Sequence, residues 1–487
     1  WLRADSVHLN GTDVDTLYDI SGYNNHLSQS DASFQPLYNS NDGNLNNMPA
    51  INFDGAGEHL LDSNGYINGL SAYTVMMVIQ SNQTGVDNGF FTTDNPANSD
   101  DVLSLRYDQT GTNSGATDII TGGTGAGDIY ESAAGTQSTN PQFISFLWNT
   151  GTSPELFIDG TADVPSYSSP ITGSLSGADT VFVGKGSYDE LDDEGWDGSI
   201  AEVLFFNRKL NSAERIILDN YLSARYNHTI ANDKYASSTY IYDVAGIGIE
   251  SDGKHNSSVS AGFGVREDNS TLDTDGEYIF FGHDNTTNDI ASIRTGPEIQ
   301  TNLGPDGAAW NRDWYLEKTT GASVDLKIYF DIGDGIEGGG VPQNISNYKL
   351  IYRSGTSGNY EIVTATNSGL QNGDQVYFEV SASEINDGYY TLGTVDQTNS
   401  PVEGSSSQTW YTLVSGDWDN SDIWTLDPSG ALPDNPDNEI PDPQDNVVVL
   451  SGKTVTAVSG GYELNSITVE GRLYLGTTSG HDFTDIN

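Results

Sequence analysis

Along most of this chain apolar residues alternate in short runs, but one stretch changes period. Between Trp196 and Tyr226 the sequence WDGSIAEVLFFNRKLNSAERIILDNYLSARY passes from a strand pattern to a helical one. Ile200 to Phe206 is dense in β-branched and aromatic residues and follows an Asp-Gly turn signal at Asp197-Gly198, which predicts a buried strand. Asn211 then predicts a helix cap, with Glu214 placed to reach back to the Asn211 amide as a capping box. Ile217, Tyr221 and Leu222, widened by Ile216 and Leu218, form an apolar stripe, while Glu214, Arg215, Asp219 and Arg225 stay polar. One strong helix closes an otherwise β-patterned region.

The residues before it read as a sandwich. Ile144, Phe146 and Trp148 alternate, Leu156 and Ile158 face opposite to Phe157, and Gly, Asn, Asp and Ser clusters separate such runs. Trp1, Phe53, Trp148 and Trp196 read first as core aromatics, and His26 and His59 as hydrogen-bonding partners of adjacent turns. Four quoted stretches carry a family resemblance: WLRADS at the start, LYDISGYNNHLSQ from Leu17, MPAINFDGAGEHL from Met48 and LFIDG from Leu156, ahead of the strand and helix above. In that order they resemble a concanavalin A-like (laminin-G-like) jelly-roll domain of large bacterial surface proteins. The resemblance covers nearly all of residues 1–230 and implies two stacked antiparallel sheets with loops at one rim.

Residues 231–396 carry a second series of strands, including YIYDVAGIGI, EYIFFGHD, VDLKIYFDI and QVYFEVS. Val324, Leu326, Ile328 and Phe330 alternate with Asp325, Lys327 and Tyr329, and the spacing suggests an immunoglobulin-like β-sandwich. The AGIG segment at Ala245, the FGHDN turn at Phe281 and the strand start at Arg312 resemble a module that follows such jelly rolls in secreted Bacteroidetes proteins. Residues 397–408 read as a Ser/Pro/Gly linker. Residues 409–487, with SGDW, DNVVV, TVTA and ITVEGRLYLG, resemble the first coils of a right-handed parallel β-solenoid. A solenoid needs several coils to bury its faces, so the expectation is a segment of a longer protein. The fold class expected is all-β throughout: jelly-roll sandwich, β-sandwich, solenoid start.

Charge excludes one class of partner. With 18 Lys and Arg against 69 Asp and Glu in 487 residues, a formal charge of -51, there is no basic footprint for nucleic acid. Such acidity keeps a surface solvated, or supplies oxygen ligands for Ca²⁺, the cofactor expected here. There is no cysteine, hence no disulfide frame and no thiolate chemistry, which still allows an extracellular location for domains this large. No apolar run approaches the ~20 residues of a membrane helix, and any export signal is expected outside this sequence.

Candidate chemistry is concentrated in acidic turns. Glu190-Leu191-Asp192-Asp193-Glu194 spells the E-x-D-x-E of jelly-roll glucanases, but Asp193 breaks the apolar spacing a buried catalytic strand needs. Asp189, Asp192, Asp193 and Glu194 are instead candidate calcium ligands, as are Asp273, Asp275 and Glu277 beside Gly276. Tyr188 and Trp196 are candidate ring platforms for sugar. The reading is a non-catalytic segment of a giant cell-surface protein, exported by the type 9 route and acting in adhesion or in a homo-oligomeric appendage, with surface glycans or proteins as partners. The alternative is a carbohydrate-binding module or a glycan-processing enzyme.

Overall fold

The computed structural model describes residues 1–95, 100–108, 116–120, 128–175, 177, 179–186, 195–284, 293–332, 344–402, 409–433, 440–441, 445–457, 463–464, 466–475 and 482–483. The chain forms two compact units. The first comprises Trp1–Val244, Gly248–His255 and Thr274–Tyr278, and the second Ala245–Ile247, Asn256–Asp273 and Ile279–Asn487.

The strand Asp197–Phe206 is the axis of the first unit. One edge pairs with Ala72–Ser81, and the other pairs with Met48–Asp54 near its start and with Leu2 and Arg3 near its end, all antiparallel. Ala72–Ser81 continues the layer to Gln142–Asn149 and Glu155–Ile158. A second layer runs through Leu60–Asp62, Thr180–Val183, Asn88–Asn95, Asp100–Asp108 and Ala116–Ile120. Val75, Met77, Ile144 and Phe146 of the first layer share one core with Phe91, Leu105, Val181 and Val183 of the second. The unit is therefore a jelly-roll sandwich, whose inward residues alternate with residues facing away.

A bulge decides what that axis strand shows on each face. Ile200 pairs with Ile79 but Glu202 pairs with Val78, so Ala201 is the extra residue. Without it, Ile200 and Glu202 would point the same way. With it, Val203 joins Ile200 in the core and Glu202 turns to the other face, where Tyr221 and Tyr226 of the helix Ser212–Tyr226 donate to its carboxylate. Asp197-Gly198, expected as a turn, opens this strand instead. Gly198 sits at φ 155, and a Cβ there would stand 2.1 Å from the Gln80 carbonyl oxygen, so the glycine serves close backbone approach.

The helix is capped as its sequence predicts. Asn211 accepts from the Glu214 amide at 2.9 Å, and Glu214 accepts from the Asn211 amide at 3.0 Å. Its polar residues differ from expectation, because Arg215, Asp219 and Arg225 are buried. Arg215 stacks 3.9 Å over the Phe157 ring and pairs with Asp219 one turn on. Buried guanidinium and carboxylate satisfy each other, while the arginine stem and ring supply the packing.

The second unit opens with a β-sandwich. One sheet contains Trp314–Lys318, Gly388–Thr394, Tyr348–Arg353 and Ala308–Trp310. The other runs Ser257–Ser260, Phe263–Arg266, Leu326–Asp331, Gln375–Val380, Asn367–Gln371. Phe263 stacks on Trp314 at 5.3 Å, and Phe330 meets both Trp310 and Trp314 edge to face, joining the two sheets. Val324, Leu326, Ile328 and Phe330 are buried, as their alternation predicts.

From Thr409 parallel pairing appears, beside an antiparallel pairing of Thr409–Thr412 with Trp424–Thr425. Thr409–Thr412 pairs with Asn446–Val449, and that strand with Ser466–Val469. Gly416–Asp417, Thr454–Ala457 and Arg472–Leu475 form a second parallel ladder in the same chain order. Trp410, Trp418 and Trp424 pack with Val447, Val455 and Ile467 as their core.

Candidate functional site

The sequence candidates separate into three groups. Tyr188, Asp189, Asp192, Asp193 and Glu194, with Glu190, lie outside the described residues. Trp196 is 0% exposed, with its ring edge to face against Phe90 and Tyr107 at 5.4 and 5.3 Å, so it offers no ring face to a sugar. Its neighbour Gly195 and the strand it precedes hold it under the second layer, where a large apolar ring is worth most. Asp273 and Asp275 are exposed, and Glu277 folds back to accept from the Thr274 amide at 3.1 Å. Among the described residues, no three His, Asp or Glu side chains are grouped to hold a metal ion.

A concave site lies elsewhere in the first unit. A groove of about 450 Å³ is lined by Trp1, Tyr23, Tyr66, Phe205 and Phe206 together with Asp19, Ser21, Asn25 and Asn207. It forms because Leu2 pairs with both Asp19 and Val203, which sets the first strand between its hairpin partner and the axis strand. Trp1 is 37% exposed, and Tyr23, at 81%, is the most exposed large aromatic among the described residues.

The loop that displays Tyr23 is closed by hydrogen bonds to Asp19. Asp19 accepts from the Ser21 amide at 2.9 Å, the Asn25 amide at 3.0 Å and the Trp1 nitrogen at 3.0 Å, while its own amide donates to His26 Nδ1 at 2.9 Å. Gly22 and Asn24 take the left-handed conformations that close the turn. Burial acts to raise the Asp19 carboxyl, but the Ser21 hydroxyl and these amides outweigh it and hold it at about 2. Tyr66 is raised, by burial and then by Asp62 and Asp19. The groove thus combines ring faces with the polar side chains of Asn25 and Asn207, a chemistry suited to stacking on and hydrogen-bonding to a polyol ring.

Two pairs of carboxylates give the first unit opposite pH responses. Burial pushes Glu58 up to about 7 and Asp219 up to about 6. Burial also opposes Glu214, but His255 and Arg208 outweigh it and hold it at about 2, as the amides hold Asp19. Raised groups add stability at low pH that is lost as pH climbs through about 6–7. Lowered ones add stability above the ordinary carboxylate range of ~4 that is lost as pH falls toward about 2. The urea midpoint of this unit is expected to peak near pH ~4, to fall as pH climbs toward about 7 and to fall as pH drops toward about 2. A midpoint that keeps rising from pH 4 to pH 2 would contradict the roles given to Asp19 and Glu214.

No family model and no curated protein matches the chain. It is similar to domain 4 of AbnA, a GH43 extracellular arabinanase from Geobacillus stearothermophilus, in complex with arabinotriose: 15% identity over 36% of this chain and 77% of that one, TM-score 0.27. A native heptameric SAP-like pentraxin from Limulus polyphemus gives 14% identity over 35% and 81%, TM-score 0.27. The CBM40 of Ruminococcus gnavus IT-sialidase bound to α2,3 sialyllactose gives 14% over 30% and 80%, TM-score 0.25. At these identities and scores, ligand and activity have to be argued from the groove itself.

The sequence reading missed this groove, although its residues were in view. Tyr23 and Asn25 belong to the SGYNNH turn, and Phe205 and Asn207 to the end of the axis strand. The available signal was Tyr23 itself, an aromatic at the tip of a Gly/Asn turn, where a core residue is not expected.

Proposed function

We propose that the first unit is a non-catalytic carbohydrate-binding module of an exported cell-surface protein, and that its groove holds the glycan. One observation carries this reading: Tyr23 is presented to solvent on a loop pinned by Asp19, beside Trp1 and the amides of Asn25 and Asn207. An exposed aromatic on a pinned backbone offers contact area to a sugar ring, and polar side chains beside it select among hydroxyl patterns. The cell-surface setting draws its support from the acidic composition and the resemblance of the sequence to surface modules.

A glycan array with the full chain tests the proposal. Selective binding is expected, with Tyr23→Ala weakening it by about tenfold or more, the scale of one lost base or ring stacking contact of 1–3 kcal/mol. A blank array, or binding untouched by Tyr23→Ala, would reject it. A structural role for the end of the chain has separate support: the two parallel ladders of residues 409–475 advance in step, as the coils of a stalk-forming solenoid would.

A further inference from the structure

Glu202 lies behind the groove, on the axis strand and opposite Arg3. Its side chain is fully sealed, and a buried carboxylate is costly unless its oxygens are satisfied. They are. One oxygen accepts from the Trp1 indole Nε1 at 2.6 Å and from the Tyr221 hydroxyl at 2.9 Å. The other accepts from the Tyr226 hydroxyl at 2.8 Å, with the Arg225 guanidinium 3.9 Å away. An apolar side chain would fill the same space under the helix with no such demand for partners. What the carboxylate adds is a fixed acceptor for the indole of Trp1, the one member of this network that also lines the groove. Tyr221 braces the same indole edge to face at 5.8 Å, and the Arg3 guanidinium stands 5.8 Å from its centre.

Resting on the carbohydrate-binding reading, we propose that Glu202 is a positioning residue for that site: its carboxylate orients Trp1 so that the indole forms a preset wall of the groove. A half-exposed tryptophan without this bond would sample several rotamers and lose that freedom on binding. The Ala201 bulge is what brings Glu202 to the indole, since regular pairing would aim it into the apolar core.

The test uses the full chain. In ¹H–¹⁵N spectra, the indole signal that disappears in Trp1→Phe is assigned to Trp1, and in Glu202→Gln that signal is expected to move upfield while the other indoles stay in place. Calorimetric titration with neutral hexasaccharides of glucose, mannose and galactose reads the consequence. Glu202→Gln and Trp1→Phe should each weaken binding about tenfold or more, the scale of a hydrogen bond to a charged group. The double variant should lose no more than either single one, because both remove the same interaction. Tyr167→Ala, at an exposed ring outside the groove lining, should bind as the parent does. An unmoved indole signal, or a moved signal with unchanged affinity, overturns the proposal. If Glu202→Gln does not fold, full affinity in folded Trp1→Phe overturns it as well. Failure of the parent chain to bind any of the three sugars, with the indole shift present, counts against the groove as a site for neutral glycans and leaves the Glu202–Trp1 bond established as structural only.

Discussion

Asp313→Ala is expected to cost the second unit about 3–5 kcal/mol, the scale for removing one partner of a buried charge network. Asp313 is 5% exposed and holds together three distant parts of the chain. Arg294 donates to it through two nitrogens at 2.6 and 3.2 Å, Arg353 at 2.7 Å and the Tyr360 hydroxyl at 2.7 Å. Both guanidiniums also lie near the Tyr360 ring, at 5.0 and 4.5 Å from its centre. Alanine would leave two half-buried cations facing each other without an anion, so the loss exceeds that of the hydrogen bonds alone. For a unit of this size the melting transition should fall by about 10 °C. Asp313→Asn should recover only part of that, because it restores shape without charge. A loss below 1 kcal/mol in urea titration would show that the cluster is solvated enough to be dispensable.

What could be read from the sequence follows from distance along the chain. The capping box at Asn211 and Glu214 was legible because both partners lie within one helical turn. The turn roles of His26 and His59 were legible because their partners lie within the same local turns: His26 accepts from the Asp19 amide, and His59 Nδ1 lies 2.8 Å from the Gly57 carbonyl. The alternation at Ile144, Phe146 and Trp148 was legible because strand period alone decides which side faces the core. The groove was not, since it depends on Leu2 meeting Val203 across 201 positions of chain. Nor was the burial of Glu202, since a single charged residue in IAEVLFF reads as an outward position unless the bulge at Ala201 is known. Arg215, Asp219 and Arg225 read simply as polar positions of the helix, and charge normally marks its wet side. Here the helix is enclosed on more than its apolar stripe, and those charges find partners.

Trp196 and Tyr23 should give opposite results in the same pair of assays. Trp196→Ala removes a ring that is 0% exposed and packed against Phe90 and Tyr107, and the expected loss is about 3–5 kcal/mol. Part of that is lost transfer free energy and part is the cavity left beneath a stiff second layer, whose strands hold Val181 and Leu105 in place and limit collapse. Tyr23→Ala removes a ring that is 81% exposed, and its stability should stay within about 0.5 kcal/mol of the parent while glycan binding falls. The loop should keep its shape without Tyr23, because Asp19, Ser21 and Asn25 close it through backbone amides. Urea titration and glycan binding measured on both variants therefore separate a core tryptophan from a display tyrosine. A Trp196→Ala chain with parental stability and abolished binding would return Trp196 to the ligand and move the site away from the groove.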